Sequence, residues 1–293
     1  MACLAAGFAD GACAPAQAAV MRHGSRAVKR NGERMMVVTV SELYRRGAWH
    51  DEPRTSRAAL LALFLAAASA VTLASTGPLY RAQVVGLAPA FTMLKWALYG
   101  AVATLLVAVV AIIIAVRRRT GLTMPVIALV LVAGAFAVPV AKLRQASRVP
   151  LIHDITTDME SPPRFVGAVA LRAAAPNPVE YGGPEIAAKQ RQGYPDLEPL
   201  SLPLPPNQAF DRALATARKM GWEIIASDPP SGRIEATDTT FWFGFKDDVV
   251  IRVAPAPNGS RVDVRSLSRV GLGDVGTNAA RIRKYLAVLK NAA

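Results

Sequence analysis

Side chains able to make and break bonds are scarce in this chain. Histidine occurs three times and cysteine twice among 293 residues. His23, His50, Cys3 and Cys13 all lie within the first fifty residues, which leaves His153 as the histidine that accompanies the acid-rich C-terminal half. His153 is followed by Asp154, with Asp158 and Glu160 nearby. An imidazole beside carboxylates is the material of a metal site or of acid–base catalysis. The bland reading is that Asp154, Thr156 and Thr157 bond to backbone groups and pin an extended segment. Asp247 and Asp248 are adjacent, but neighbours along a strand point to opposite faces, so they make no carboxylate dyad. No Gly-x-Ser-x-Gly nucleophile motif is present. The glycine run Gly271-Leu272-Gly273-Asp274-Val275-Gly276 resembles a dinucleotide-binding turn, yet it stands late in the chain with no βαβ unit after it, and nucleotide binding is rejected. A glycine-rich entry to a helix still offers N–H groups to an anion, and Arg265 and Arg269 are close in sequence. The plainer reading of Arg261, Asp263, Arg265, Leu267 and Arg269 is a solvated strand face with cross-strand ion pairs.

The densest aromatic stretch is Phe241-Trp242-Phe243-Gly244-Phe245, followed by Lys246. It stands between two alternating segments, 233–239 and 248–253. A single strand over both would run ~65 Å, far beyond the usual strand, so the chain reverses near Gly244 and the aromatics form the hairpin connection. Four aromatic rings in one loop either fold back to close the core or meet a ligand or the bilayer edge, where Trp is favoured. In the second case Trp242 is the exposed ring, and Phe243 and Phe245 anchor the loop. The candidate ligand-binding set is therefore Trp242, Phe243, Phe245, Lys246, Asp248, Arg265, Arg269, His153 and Asp154. No catalytic residue, metal ligand or cofactor is assigned.

The elements that must carry these residues fall into two halves. Three uncharged apolar runs, Ala58 to Leu73, Trp96 to Val116 and Leu122 to Val140, approach the ~20 residues that cross ~30 Å of hydrocarbon as a helix. They predict a membrane region over 58–141. The net charge of +13 collects around it: residues 58–150 hold basic residues and no acid at all. A nucleic-acid partner is therefore not required. Arg45, Arg46, Arg54 and Arg57 precede the first run, and Arg117-Arg118-Arg119 connects the second and third. Basic residues favour the cytoplasm. The N-terminus is accordingly placed inside and the C-terminal half outside, although Lys142, Arg144 and Arg148 argue the other way. Residues 1–57 read as a cytoplasmic segment, with 1–34 disordered or translation starting at Met21, Met35 or Met36, and the first twenty residues make a poor signal peptide.

Residues 142–206 are proline-rich and predict an extended strap. From Asn207 the pattern is that of a domain. Asn207 is a candidate helix cap, followed by Phe210, Leu214 and Ala217 at helical spacing and by Gly221 at the end. Trp222–Ser227, 233–239, 249–253 and 262–264 read as strands, with a turn at Pro257-Asn258-Gly259. A last helix starts near Asp274, a candidate N-cap, and aligns Val275, Ala279, Ile282, Leu286 and Leu289. The expected fold is a helical membrane region of three transmembrane helices followed by an α+β two-layer domain, with an antiparallel sheet and both helices on one face.

Three motifs carry a family resemblance. "Ile-His-Asp-Ile-Thr-Thr-Asp" (152–158) with Pro162-Pro163, "Trp-Phe-Gly-Phe-Lys-Asp-Asp-Val-Val-Ile-Arg-Val" (242–253) and the stretch from Arg265 to Ile282 resemble the bacterial domain-of-unknown-function 1499 family. The resemblance covers about half the chain. Some relatives look like secreted lipoproteins with this domain alone, which implies an extracytoplasmic domain here. The family implies a place and a fold but no reaction. The expectation is a bacterial inner-membrane protein with a periplasmic, non-catalytic domain that binds a lipid, an anionic small ligand or an envelope protein. The alternative is an envelope hydrolase or other enzyme using His153 with domain carboxylates. The scarcity of His and Cys favours the first.

Overall fold

The computed structural model describes residues 55–291. Expectations for the N-terminal segment, including the translation start, Cys3, Cys13, His23 and His50, lie outside these residues. Three long helices come first: α1 (Arg57–Arg81), α2 (Leu87–Arg118) and α3 (Thr123–Ala146). Each is long and apolar enough to cross a membrane. Ser56 starts α1 by accepting the Ala59 N–H on its hydroxyl at 3.1 Å. The apolar runs understate the helices. The first run stops at Leu73 and the second starts at Trp96, whereas α1 continues through Pro78 to Arg81 and only residues 82–86 connect it to α2. Proline removes one hydrogen bond, which an apolar helix tolerates when the freed carbonyl finds another partner. It finds one here, as described below.

Small residues let these helices approach. α1 buries Ala59, Ala62, Ala66, Ser69, Leu73 and Thr76, and α2 buries Ala97, Ala101, Thr104, Ala108, Ala111 and Ala115. Alternating steps of three and four place each set on one heptad-like seam, and small side chains bring the backbones together where hydrophobicity alone gives no drive. At Gly100 a Cβ would overlap the Ser69 hydroxyl. The buried hydroxyls of Ser69, Thr76 and Thr104 each donate to a carbonyl four residues back in their own helix. The outward residues, such as Phe64, Leu106 and Val130, are large, apolar and exposed, as lipid-facing positions require.

After α3 comes a six-stranded antiparallel sheet. Its strands are β1 (Asp154–Thr156), β2 (Leu200–Leu202), β3 (Glu223–Asp228), β4 (Arg233–Thr239), β5 (Lys246–Ala256) and β6 (Gly259–Ser268). The order is β1-β6-β5-β4-β3, and β2 pairs with β6 alongside residues 260–262 while β1 pairs with 265–267. Two short strands from the segment read as a strap thus share the outer edge of β6. That segment also forms helix α4 (Gly183–Gly193): the stretch Glu185 to Tyr194 lacks proline, and Pro184 sits where a helix start accepts it.

Helices α5 (Pro206–Lys219) and α6 (Thr277–Asn291) cover one face of the sheet. Pro206 opens α5, so Asn207 lies in its first turn and makes no cap bond. Gly221 takes the left-handed turn that follows (φ +80). Phe210, Ala213 and Ala217 meet Ile234, Val249, Ile251, Val262 and Val264 in the core. Trp222 stacks on Tyr285 with ring centroids 5.1 Å apart, and the buried Tyr285 hydroxyl donates to the Ala213 carbonyl at 2.9 Å.

Candidate functional site

The candidate residues divide between two places. Those on the sheet face away from α5 and α6 are not solvated, contrary to the sequence reading. Part of the strap, residues 157–181, lies over them. Arg265 forks onto both oxygens of Asp154 (2.9 and 2.8 Å), and both side chains are buried. Asp248 is fully buried between Arg172 at 2.6 Å and a forked Arg269 at 2.9 and 2.8 Å, and it also accepts the Thr237 hydroxyl. Burial alone would push the Asp248 carboxyl up, but the bonds from Arg269, Thr237 and Arg172 outweigh it and hold it below the usual range. Asp247 points to the other face and meets Arg281 at 2.6 Å, as strand alternation demands. Fully buried Glu235 accepts the backbone N–H groups of Val166, Gly167 and Ala168 within 3.0 Å. Every carboxylate of this layer is engaged, so none is left as a free base. His153 has its Nδ1 3.3 Å from the Leu272 carbonyl, and among the described residues no cluster of His, Cys, Asp and Glu forms a metal-sized site.

The aromatic residues lie elsewhere. Thr240 to Phe245 joins β4 to β5 as a hairpin loop, closed by Thr240, which bonds to Gly244 and Phe245. Gly244 adopts φ +69, which suits glycine. The loop neither closes the domain core nor hangs free: it docks on the ends of α1 and α2. Pro78 lacks an N–H, so the carbonyl of Ala74, four residues back, loses its helical partner. The Trp242 indole N–H reaches that carbonyl at 3.4 Å. Gly77 makes the approach possible, because a Cβ there would overlap the indole. Phe243 and Phe245 stack on each other at 4.9 Å, with Tyr80 against both and Phe91 against Phe243. Arg81 donates to the Phe241 carbonyl at 3.0 Å. Phe243 and Phe245 pack against rings of α1 and α2, while the fully exposed ring is Phe241, at 92%, and not Trp242, which is half-buried.

Beside this latch lies an apolar cleft of about 490 Å³, walled by α2 (Phe91, Leu98), α3 (Phe136, Leu143) and the domain loops (Trp242, Val270). Its volume is that of a small-molecule or acyl-chain site. Asp247, Ser268, Asp274 and Thr277 supply the polar part of its wall. The last helix begins at Thr277, so Asp274 precedes it by a turn rather than capping it directly, and its carboxylate accepts the N–H groups of Gly276 and Asn278 at 2.8 and 2.5 Å. Those are N–H groups that the sequence reading offered to an anion. Burial pushes the Asp274 carboxyl up despite the two bonds. Lys246 is exposed and lines a second, more polar hollow of about 670 Å³ with Arg81 and Tyr80.

The site therefore unites Trp242, Phe243 and Phe245 from the candidate set and separates them from Asp248, Arg265, Arg269 and Asp154. Sequence reasoning missed Ala74, Gly77, Pro78 and the cleft walls. The Gly-Pro dipeptide just beyond the first apolar run was the available signal.

Residues 154–289 match the model of a family described as a protein of unknown function (DUF1499). No curated protein matches the chain.

Proposed function

We propose that this chain, whose residues 154–289 match the DUF1499 family, is an integral inner-membrane protein that holds a lipid or similar apolar ligand where its domain meets its helices. The cleft between α2, α3 and the aromatic loop carries this reading. It is apolar, of acyl-chain size, and built partly from the membrane helices, so a ligand can reach it without leaving an apolar phase. The domain acts as a non-catalytic binding module. The engaged state of Asp154, Asp248 and Glu235 speaks against an envelope enzyme working through His153.

The basic residues around Arg57 and Arg117 to Arg119 support a cytoplasmic N-terminus and an extracytoplasmic domain. A periplasm-active reporter fused after Ala293 should then be active, and activity only from a cytoplasm-restricted reporter would reverse the orientation. For the cleft, the full chain purified in mild detergent should retain lipid in native mass spectra. Val270→Trp, which fills the cleft, should lower that retention at least several-fold while leaving the far-UV circular dichroism unchanged. Equal retention by both proteins would remove the cleft from consideration.

A further inference from the structure

The level at which the bilayer surface meets this molecule can be read from α2. Its uncharged run, Trp96 to Val116, is about 31 Å long at 1.5 Å per residue, the thickness of the hydrocarbon layer. Lys95 and Arg117 bracket it. Trp96 and Tyr99 meet edge to face at 5.6 Å, both exposed on the outside of the helix, as in an interfacial aromatic belt. On the neighbouring antiparallel α1, Ser69 faces Gly100, so Ala74 stands level with Lys95. The Trp242 indole bonds to Ala74. The aromatic loop therefore reaches down to the plane where hydrocarbon begins.

This placement gives meaning to two side chains that packing alone leaves unexplained. Phe241, next to Trp242, is 92% exposed, and Leu272 is 79% exposed. Leu272 stands between Gly271 and Gly273, which line the cleft with Leu143 and Ala146 at the exit of α3. Both tips belong to the same end of the sheet, where β4 ends, β5 begins and β6 ends. Arg81 and Lys246 flank the aromatic loop, Lys142 lines the cleft beside Gly271 and Gly273, and Arg144 and Arg148 end and follow α3; all five are exposed, and none makes an ion pair among the described residues.

We infer that this end of the domain is seated in the bilayer surface, with Phe241 and Leu272 immersed below the headgroups and the five cations binding lipid phosphates, so that anionic phospholipid draws the seat deeper. Apolar tips within a ring of basic residues are the composition of an interfacial anchor. The occupant is the bilayer itself, because the helices that enter it are continuous with the seat. The inference stands whether or not the cleft holds a ligand.

The test uses the full chain in nanodiscs, with Cys3 and Cys13 replaced by serine and one spin label at Phe241→Cys, Leu272→Cys or, as a control at the opposite end of the sheet, Ser231→Cys. Labels at 241 and 272 should be open to oxygen and at least several-fold less accessible than 231 to a water-soluble nickel chelate. Equal chelate access at all three positions would overturn the seat. Changing from zwitterionic to partly anionic lipid should move both labels deeper. The triple change Lys142→Gln, Arg144→Gln and Arg148→Gln, which leaves Arg81 and Lys246 in place, should at least halve that movement while oxygen access persists. Depth that ignores lipid charge in the unaltered protein would overturn the role of the cations. Val270→Trp should change neither depth, which keeps this test separate from that of the cleft.

Discussion

The two faces of the sheet are closed by opposite means. Under α5 and α6 the contact is a continuous apolar core, from Phe210 and Trp222 to Ile282 and Leu289. Under the strap, Phe165, Ala168, Val250 and Leu267 form a small cluster among buried charges. The difference follows from what each cover offers. An amphipathic helix satisfies its own backbone and presents side chains. A proline-rich strap lacks many N–H donors and leaves carbonyls unsatisfied. Arginines rising from the sheet and from the strap take them up: the carbonyls of Ser161, Pro163, Leu171, Asn177 and Val179 each accept from Arg252, Arg265, Arg269 or Arg172. The acids of the sheet then orient those arginines. The ionic layer thus works as a glue for irregular backbone, and the sequence signature that suggested a ligand site reflects it.

The strongest way to break this comparison is to remove one acid. Asp248→Ala leaves buried Arg172 and partly buried Arg269 beside no carboxylate and should cost ~3–5 kcal/mol, measured by chemical unfolding of the full chain in detergent. Trp222→Ala on the helix face should cost a similar amount through a cavity. The two should differ in rescue. Replacing Arg172, Asp248 and Arg269 together with apolar residues of similar volume should restore much of the loss. If the triple replacement is no better than Asp248→Ala, the view of these charges as exchangeable glue is wrong.

Acid sharpens the contrast with a smaller effect. The folded-state Asp248 and Asp158 carboxyls are held below their usual range, so their stabilisation is present above about pH 4 and lost as pH falls through the folded values. Asp274 is raised, and its sign is opposite: protonation favours the folded state, a contribution full below about pH 4 and lost as pH rises through its folded value. Stability should hold or rise as pH drops toward 4 and fall below it. Asp274→Asn should flatten the first part of that curve and leave the second. A curve for Asp274→Asn that matches the unaltered protein throughout would contradict this assignment. The smallest effect is expected from Asp274→Ala, ~1 kcal/mol for the lost first-turn bonds of α6. A loss well above that would make Asp274 part of the core.

Much of the architecture was legible because it rests on local pattern. β4 follows the alternation of Arg233 to Thr239 to the residue, and the reversal near Gly244 follows from strand length. The three long helices follow from charge-free runs. What stayed hidden depends on distant partners. Nothing near Arg172 in sequence points to Asp248, and the alternation that put Arg265 and Arg269 on one strand face cannot tell solvent from a strap. Helix α4 was hidden by the prolines that flank it, although Pro184 and Pro195 stand where a short helix tolerates them. The aromatic loop was recognised as a contact loop or a core closure. Its true counterpart, the Ala74 carbonyl freed by Pro78, belongs to another part of the chain.

The brevity of the link between α3 and β1, residues 147–153, has a consequence for how firmly the latch must bind. Seven residues reach at most ~25 Å, so the loop is never far from its receptor on α1. A tether of that length creates an effective concentration in the millimolar range. Trp242 therefore needs only weak intrinsic affinity for the Gly77-Pro78 site to stay docked nearly all the time, and the same interaction would vanish if the two halves were supplied as separate chains at micromolar concentration.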